Sequence, residues 1–302
     1  MKRILVTGAS GFIGRHCLAP LIERGFEVCA TASRCPAGPR DGVVWYPADL
    51  FDDTQIGDLL KRTRPTHLLH LAWIATPGQY LTSPENLNWV VASVRLLQHF
   101  AAHGGRRIVS AGTCLEYDTA YGYCREDATP ERPTTVYGAC KLSWHTVLRQ
   151  FAAQQGLEAA WGRVFHLYGP GEDSRRLVPS VIRSLLGGET ARCTHGLQIR
   201  DFMHVADVAQ ALTTIVDSSA TGPVNVGTGQ PVSIRHIVSE IAASLNAADR
   251  VEFGVLPTPP GECPLLVADA SRLQTELGFS ARYNLSDGLR QTIASWPAMQ
   301  EA

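Results

Sequence analysis

The sequence predicts an α/β protein built on a doubly wound parallel sheet, with a smaller α/β unit formed mainly by the C-terminal third. A short aliphatic run at residues 4–6 leads into a glycine-rich turn and then an amphipathic stretch at 15–24, which is the order strand, turn, helix. Further on, strand-like runs at 67–72 and 107–110 flank a helical apolar pattern at 84–103. Alternation of this kind is typical of parallel sheets whose crossover helices cover both faces.

Size and composition narrow the classes of function. The 302-residue chain is 45% hydrophobic, enough to bury a substantial core. Its net charge of -1 gives no electrostatic reason to expect nucleic acid or an anionic membrane as a partner. The eight cysteines show no Cys-x-x-Cys pair and no metal-like spacing with histidine, so we expect small buried side chains and no metal site. The apolar run at 4–6 is too short for a signal peptide or a spanning helix, which favours a cytoplasmic protein.

The glycine-rich turn at 7–14 is typical of a dinucleotide-binding loop. Gly8 permits a tight turn, Gly11 lets the backbone approach a pyrophosphate, and Gly14 allows close packing of the helix. A pyrophosphate there would lie on the helix N-terminus, where backbone N–H groups are free. We therefore expect the cofactor to contact a continuous run of this turn: Gly8, Ser10, Gly11, Phe12, Ile13 and Gly14.

The end of the second predicted strand, at 27–31, indicates which dinucleotide binds. An Asp or Glu there would hydrogen-bond the 2′-hydroxyl of NAD. The chain instead has Ala32, Ser33 and Arg34, which offer no repelling acid and a guanidinium able to hold a 2′-phosphate. The sequence therefore predicts NADP. The alternative is that Arg34 is a solvated loop charge without a ligand.

A tyrosine and a lysine four residues apart form the candidate proton-transfer pair. Tyr137 and Lys141 fall in a predicted helix at 137–156, so they share one helical face. A nearby positive charge stabilises a phenolate and lowers the pKa of the tyrosine. Lysine is rare in this chain, since only three of the 27 Lys and Arg residues are lysines, so its presence here is unlikely to be accidental.

Together the glycine turn, Thr113 and the Tyr137-x-x-x-Lys141 spacing resemble the extended short-chain dehydrogenase/reductase family, whose members modify nucleotide sugars. The resemblance implies a Rossmann-type dinucleotide domain at 1–168 plus about 199–227. A smaller nucleotide-sugar domain would comprise about 169–198 plus 228–302. It also implies a homodimer.

The resemblance assigns further residues along the cofactor. Asp49 and Leu50 match the Asp-Leu pair that flanks the adenine, and Leu71 and Ala72 match the small-residue segment that lies along the dinucleotide. The histidines of that strand are interpreted as structural. Asn88 falls where the family often has an asparagine that supports the catalytic region.

In the resembled family the catalytic hydroxyl lies four residues before a tyrosine. In this chain that tyrosine is Tyr117, so the hydroxyl is that of Thr113. It would donate to the substrate carbonyl oxygen as negative charge builds there. Tyr137 would transfer the proton, and Lys141 would tune it and hold the nicotinamide ribose. Ser110 is the competing hydroxyl. Glu116 is expected to point away from the face of Leu115 by strand alternation.

Two segments of the C-terminal half resemble the family's substrate-binding motifs. Arg200 opens an Arg-Asp-Phe motif whose arginine commonly binds the nucleotide diphosphate, and His166 replaces the asparagine that touches the nucleotide sugar. The family's second phosphate-binding arginine is absent from the run at 259–262, and Arg175 or Arg176 is the expected substitute.

The residues around Thr113 limit which of the family's reactions this chain can catalyse. Dehydratases of the family place acids where this chain has Cys114 and Leu115, and epimerase-reductases use a cysteine and a histidine where it has Leu115 and Gly171. The sequence therefore favours NADPH-dependent reduction of a keto group, at C4, of a nucleotide-linked 6-deoxyhexose. Two alternatives stay open: a nucleotide-sugar 4-epimerase that retains NAD, and a catalytically idle NADP-binding regulator.

Overall fold

A seven-stranded parallel sheet forms the centre of the structure. The computed structural model describes residues 2–34, 42–259 and 261–296. From one edge to the other, the strands are β11 (Gly222–Val226), β7 (Glu158–Val164), β5 (Arg107–Thr113), β4 (His67–His70), β1 (Arg3–Thr7), β2 (Glu27–Ala32) and β3 (Val43–Pro47). The predicted α/β class and Rossmann-type sheet are confirmed.

Helices cover both faces of this sheet, so its central strands are apolar throughout rather than alternating. All seven residues of β5 are buried. One face packs against α1 (Gly14–Glu23) and α6 (Val205–Val216). The other packs against α2 (Asp53–Thr63), α3 (Glu85–Ala102) and α4 (Val136–Gln155).

The strand order reverses between β1 and β4, and this reversal locates the cavity. Crossovers from β1 lead to β2 and β3 on one side, and later strands extend the sheet on the other. The loops that leave β1 and β4 therefore separate at their carboxyl ends and open a crevice. Thr7 pins this point, because its hydroxyl hydrogen-bonds His70 Nδ1 at 2.7 Å and accepts from the Leu71 N–H at 3.2 Å.

A smaller mixed sheet lies beside the first. Its strands are β12 (Pro231–Ser233), β10 (Ile199–His204), β14 (Leu265–Ala268) and β6 (Tyr123–Cys124), with β8 (His166–Tyr168) also pairing with β10. Its core packs against α5 (Leu177–Leu186), α7 (Ile234–Ser244) and α8 (Leu285–Ala294). A two-stranded parallel ribbon joins β9 (Ala191–Cys193) to β13 (Val251–Phe253). Four short helical turns complete the described chain: Cys114–Glu116, Thr119–Tyr121, Ala248–Arg250 and Arg272–Glu276.

The segment predicted to return to the dinucleotide domain, about 199–227, is divided between the two sheets. Strand β10 belongs to the smaller sheet, whereas α6 and β11 pack on or join the larger one. The domain boundaries taken from the sequence stay a prediction.

Most cysteines have the buried positions that the sequence predicts. Six of the seven cysteines in the described residues are buried, and Cys263 is partly buried. Cys35 lies outside the described residues. Within the described ranges, no helix is both long and apolar enough to cross a membrane.

Candidate active site

A cavity of about 710 Å³ opens at the carboxyl ends of β1, β4 and β5. Eleven of the residues predicted to bind the cofactor line it: Gly8, Ser10, Gly11, Phe12, Ile13, Gly14, Ser33, Asp49, Leu50, Leu71 and Ala72. The three predicted catalytic residues and two of the predicted substrate residues line it as well: Thr113, Tyr137, Lys141, His166 and Arg176. Arg34 and Arg200 are not part of the lining. The structure therefore brings together most of what the sequence assigns to one site.

The glycine turn forms a cradle that side chains would fill. Gly8 has φ +66°, and a Cβ there would lie 2.7 Å from the Ala72 backbone nitrogen. A Cβ on Gly14 would collide with the Gly8 carbonyl oxygen, which accepts a hydrogen bond from the Gly11 N–H at 3.0 Å. Because α1 begins at Gly14, its first N–H groups and positive dipole end lie beside this cradle. The cradle thus fits the pyrophosphate of a dinucleotide.

The histidine that ends β4 has a structural role, as the sequence predicts. His70 is buried, with Nδ1 bonded to the Thr7 hydroxyl and Nε2 to Ser93 Oγ at 2.9 Å. Burial, and then the nearby Lys141 charge, lower the pKa of His70 to about 3. It is therefore neutral near pH 7 and unsuited to carry a proton there.

Thr113 and Tyr137 both line the cavity, and their side chains are hydrogen-bonded to each other. Thr113 is the last residue of β5, and Thr135 starts α4 by accepting from the Gly138 N–H at 3.0 Å. Burial raises the pKa of Tyr137, while hydrogen bonding to Thr113 acts in the opposite direction. Ser110, the competing hydroxyl, lies deeper in β5 and is fully buried against Trp144 Nε1.

The Lys141 ammonium lies closer to a backbone carbonyl and an indole than to the Tyr137 ring. Its Nζ donates to the Ala111 carbonyl at 2.9 Å and lies 3.9 Å from the Trp73 ring centroid, against 6.0 Å from the Tyr137 ring. Burial lowers the pKa of Lys141 to about 7. The expected lowering of the Tyr137 pKa is wrong for this structure, because burial of the phenol raises that pKa.

A fully buried ion pair fixes the turn after Thr113. Glu116 accepts from the Thr113 N–H at 2.7 Å and from Arg163 Nε at 2.8 Å. It also accepts from Trp161 Nε1, and Arg163 contacts Glu131 with its other end. Glu116 does turn away from the cavity that Leu115 lines, but through the helical turn at 114–116 rather than by strand alternation.

The opposite wall carries polar groups that the sequence only partly indicates. Burial lowers the pKa of His166 to about 3, and its Nδ1 is buried without a hydrogen-bond partner. Glu172, which sequence reasoning missed, has a buried oxygen without a partner, and burial raises its pKa to about 8. Arg176 reaches across to the segment after β4, where it donates to the Ala75 carbonyl and lies 4.9 Å from the Tyr80 ring centroid.

Three residues that the sequence singles out do not line the cavity. Arg200 is 5% exposed and paired with Glu262 at 3.0 Å, outside the cavity lining. Arg34 is exposed just beyond Ser33. The buried asparagine of α3 is Asn86, whereas Asn88 is exposed.

The comparisons with known proteins agree with this geometry. A model of the NAD dependent epimerase/dehydratase family matches residues 4–227. The chain belongs to this family. The resemblance to extended short-chain dehydrogenases/reductases is thereby confirmed, and the chain is an enzyme of that type.

Relatives within the NAD dependent epimerase/dehydratase family span several activities. The chain is 28% identical to a dTDP-6-deoxy-L-talose 4-dehydrogenase (NAD(P)(+)) from Kitasatospora kifunensis, over 99% of this chain and 96% of that protein. A UDP-glucose 4-epimerase from Thermus thermophilus, solved with NAD, is 26% identical with a TM-score of 0.87, covering 98% of this chain and 99% of its own. MoeE5, solved with UDP-glucuronic acid and NAD, is 31% identical with a TM-score of 0.85, covering 98% and 99%.

The buried ion pair of Glu116 and Arg163 predicts a large loss of stability when its carboxylate is removed. Glu116→Gln removes the carboxylate charge beside a guanidinium that has no exposed surface. Leaving a buried charge poorly compensated should reduce the free energy of unfolding by about 3 kcal/mol. Urea denaturation followed by circular dichroism measures this.

The matched control is Asp127→Asn, which breaks the exposed pair with Arg125. Its expected effect is below about 1 kcal/mol. Equal losses in the two variants would contradict the assigned role of Glu116.

Proposed function

We propose that this enzyme transfers hydride between a nicotinamide dinucleotide and C4 of a nucleotide-diphosphate hexose. The observation that carries the proposal is that Thr113, Tyr137 and Lys141 line the same cavity as the glycine cradle. Two hydroxyls beside one ammonium can serve a single carbonyl or alcohol oxygen. The relatives that modify UDP- or dTDP-linked sugars support the nucleotide-sugar part.

The residues of the chain divide the chemistry as follows. When bound, the dinucleotide supplies or accepts hydride at its nicotinamide ring. The cradle at Gly8, Gly11 and Gly14 would hold its pyrophosphate, and Lys141 its nicotinamide ribose. Tyr137 moves the proton to or from the C4 oxygen, while the Thr113 hydroxyl donates to that oxygen as charge develops.

The sugar nucleotide would lie against the opposite wall of the cavity. Arg176 is the only arginine among the described residues that line the cavity, so we assign it to the diphosphate. Arg200 is proposed as a second ligand because it opens the Arg-Asp-Phe motif, although it is paired with Glu262 outside the lining. His166 and Glu172 would face the hexose, since each has a buried polar atom without a partner.

We propose reduction of a 4-keto-6-deoxyhexose by NADPH as the net reaction. The chain has no acid at 32–34, where one would hold NAD and repel a 2′-phosphate. Near Thr113 it has Cys114 and Leu115 instead of the acids that elimination of water needs. Similarity to a dTDP-6-deoxy-L-talose 4-dehydrogenase (NAD(P)(+)) supports redox chemistry at C4 of a nucleotide-linked 6-deoxyhexose.

A 4-epimerase that retains NAD is the second candidate, favoured by the similarity to the Thermus thermophilus enzyme. It would use the same three side chains but oxidise and re-reduce one bound sugar. The idle NADP-binding regulator has no observation in its favour.

A cytoplasmic location remains part of the proposal.

Cofactor stoichiometry distinguishes the two reactions. A reductase consumes one NADPH for each dTDP- or UDP-linked 4-keto-6-deoxyglucose, measured by nicotinamide absorbance and chromatography of the sugar. An epimerase interconverts UDP-glucose and UDP-galactose without net change of cofactor. We expect the first result, and catalytic interconversion at constant NADPH would replace the reductase assignment.

Removing the proton donor tests the mechanism. Tyr137→Phe deletes the hydroxyl, so the fold and cofactor affinity should be preserved while kcat falls by about 10²–10⁴-fold. KM should change little, because the interaction matters mainly in the transition state. Steady-state kinetics on the accepted sugar measures this, and near-normal turnover would move the proton to another group.

Cofactor preference tests the position after β2. Arg34→Ala should weaken NADPH binding by about 10–100-fold, the value of a charge-assisted hydrogen bond, and leave NADH binding unchanged. Isothermal titration calorimetry with both cofactors measures the ratio. Equal affinities in the unmodified enzyme would refute the NADP assignment.

Substituting the two arginines in turn tests which of them binds the substrate diphosphate. Arg176→Ala should raise KM for the nucleotide sugar by about 10–100-fold with cofactor affinity unchanged, because it deletes a charge-assisted contact. Arg176→Lys keeps the charge and should recover part of the loss. An Arg200→Ala variant with unchanged KM would leave the diphosphate to Arg176 alone.

We also propose a homodimer through α3 and α4. The two helices pack side by side and leave four apolar side chains exposed: Leu87, Val91, Val136 and Val147. Exposed apolar side chains on two paired helices are typical of an interface between subunits. Light scattering should give twice the chain mass for the unmodified enzyme and a single chain mass for Leu87→Asp. A single chain mass for the unmodified enzyme would exclude the dimer.

A further inference from the structure

The ammonium of Lys141 lies against the face of an indole that no motif of the sequence singles out. Nζ is 3.9 Å from the Trp73 ring centroid, and the lysine side chain is almost entirely buried. A cation over the face of tryptophan is attracted by the ring quadrupole, most strongly where water is excluded. The contact therefore favours the charged lysine at a site where burial opposes it.

The indole is itself held in place by a chain of hydrogen bonds. Trp73 Nε1 donates to Asn86 Oδ1 at 2.8 Å, and Asn86 is fully buried. The Asn86 amide then donates to the carbonyls of Tyr80 at 2.7 Å and Ser83 at 2.8 Å. Trp89 stacks on Trp73 at 6.2 Å with an interplanar angle of 26°. The ring plane is thus fixed by α3 independently of the lysine.

The other charged or titratable groups that face Lys141 do not replace this contact. Glu116 favours the ammonium electrostatically but is bonded to Thr113, Trp161 and Arg163. His70 is neutral near pH 7 and bonded at both nitrogens. Tyr137 lies farther away, at 6.0 Å, and its raised pKa keeps it protonated.

We propose that Trp73 is a positioning residue that holds the Lys141 ammonium in its charged form through a cation–π contact. The proposal rests on the proposed role of Lys141. Trp73, Trp89 and Phe51 form an aromatic wall that lines the cavity beside the lysine. The proposal assigns a function to this wall. Burial lowers the pKa of Lys141 to about 7, so a further fall on loss of the indole would leave the lysine mostly uncharged at neutral pH.

Lysine-selective NMR measures this charge directly. The chain has only Lys2, Lys61 and Lys141, and the first two are exposed, so ¹³Cε-labelled lysine gives three signals that Lys141→Met assigns. The titration is run on the full chain without substrate, for the unmodified protein, Trp73→Leu, Trp73→Phe and Trp89→Phe. Trp89→Phe is the matched control, since it alters the same aromatic wall at a ring other than the one under the Lys141 ammonium, and phenylalanine keeps a ring against Trp73.

We expect Trp73→Leu to lower the pKa of Lys141 by about one unit or more, the shift equivalent to a desolvated cation–π contact. Trp73→Phe should give a smaller shift and Trp89→Phe almost none. An unchanged pKa in Trp73→Phe and Trp73→Leu, or an equal shift in the Trp89 control, would overturn the proposal. If Trp73→Leu does not fold, Trp73→Phe alone decides between these results.

The pH profile of kcat separates this proposal from the proposed function. Lys141 loses its charge as pH rises through its pKa, so a lower pKa moves the alkaline limb of the profile to lower pH. A shifted NMR titration with a matching shift in the profile supports both proposals. A shifted titration with an unchanged profile supports the contact with Trp73 and refutes the role of charged Lys141 in turnover.

Discussion

The buried pair of Glu116 and Arg163 is the constraint on which the site depends. Glu116 accepts the Thr113 N–H and ends β5 in a tight helical turn, which sets the direction of the Thr113 side chain. The start of α4 packs on this turn so closely that a Cβ on Gly138 would lie 2.5 Å from the Leu115 carbonyl oxygen. Tyr137, one residue earlier, is thereby brought to Thr113. A long-range ion pair between β7 and the turn thus determines the geometry of two hydroxyls.

Burial and charge compete at Lys141, and their balance distinguishes this site from what local spacing suggests. The four-residue spacing does place Tyr137 and Lys141 on one face of α4, but the ammonium turns toward Ala111 and Trp73. Desolvation of an ammonium can shift its pKa by several units, whereas a desolvated cation–π contact of about 2 kcal/mol returns about 1.5 units. The pKa of Lys141 therefore lies near neutral pH, and the side chains around it decide whether it is charged there.

Elements with local signals were predictable from the sequence, and contacts between distant segments were not. The helices expected at 84–103 and 137–156 occur at Glu85–Ala102 and Val136–Gln155, because periodicity and terminal glycines mark them. Helices α2 and α8 were missed, although Asp52 and Asn284 cap them. Asn86 rather than Asn88 is buried, since two positions along a helix reach a different face.

The site shows the same division. The glycine cradle was readable because one short stretch makes it, while the Arg200–Glu262 pair joins residues 62 apart and leaves no local pattern. Glu172 and Trp73 belong to no motif, and only folding brings them to the cavity.

Deuterium tracing tests the central claim that hydride leaves or enters C4 of a nucleotide hexose. Enzyme with oxidised cofactor is mixed in single turnover with a dTDP- or UDP-linked hexose carrying deuterium at C4, and the nicotinamide is analysed by mass spectrometry. The account predicts deuterium on the reduced nicotinamide, formed more slowly than with the unlabelled sugar, for either net reaction. Label that stays on the sugar or passes to water, with no isotope effect on the rate, would contradict it.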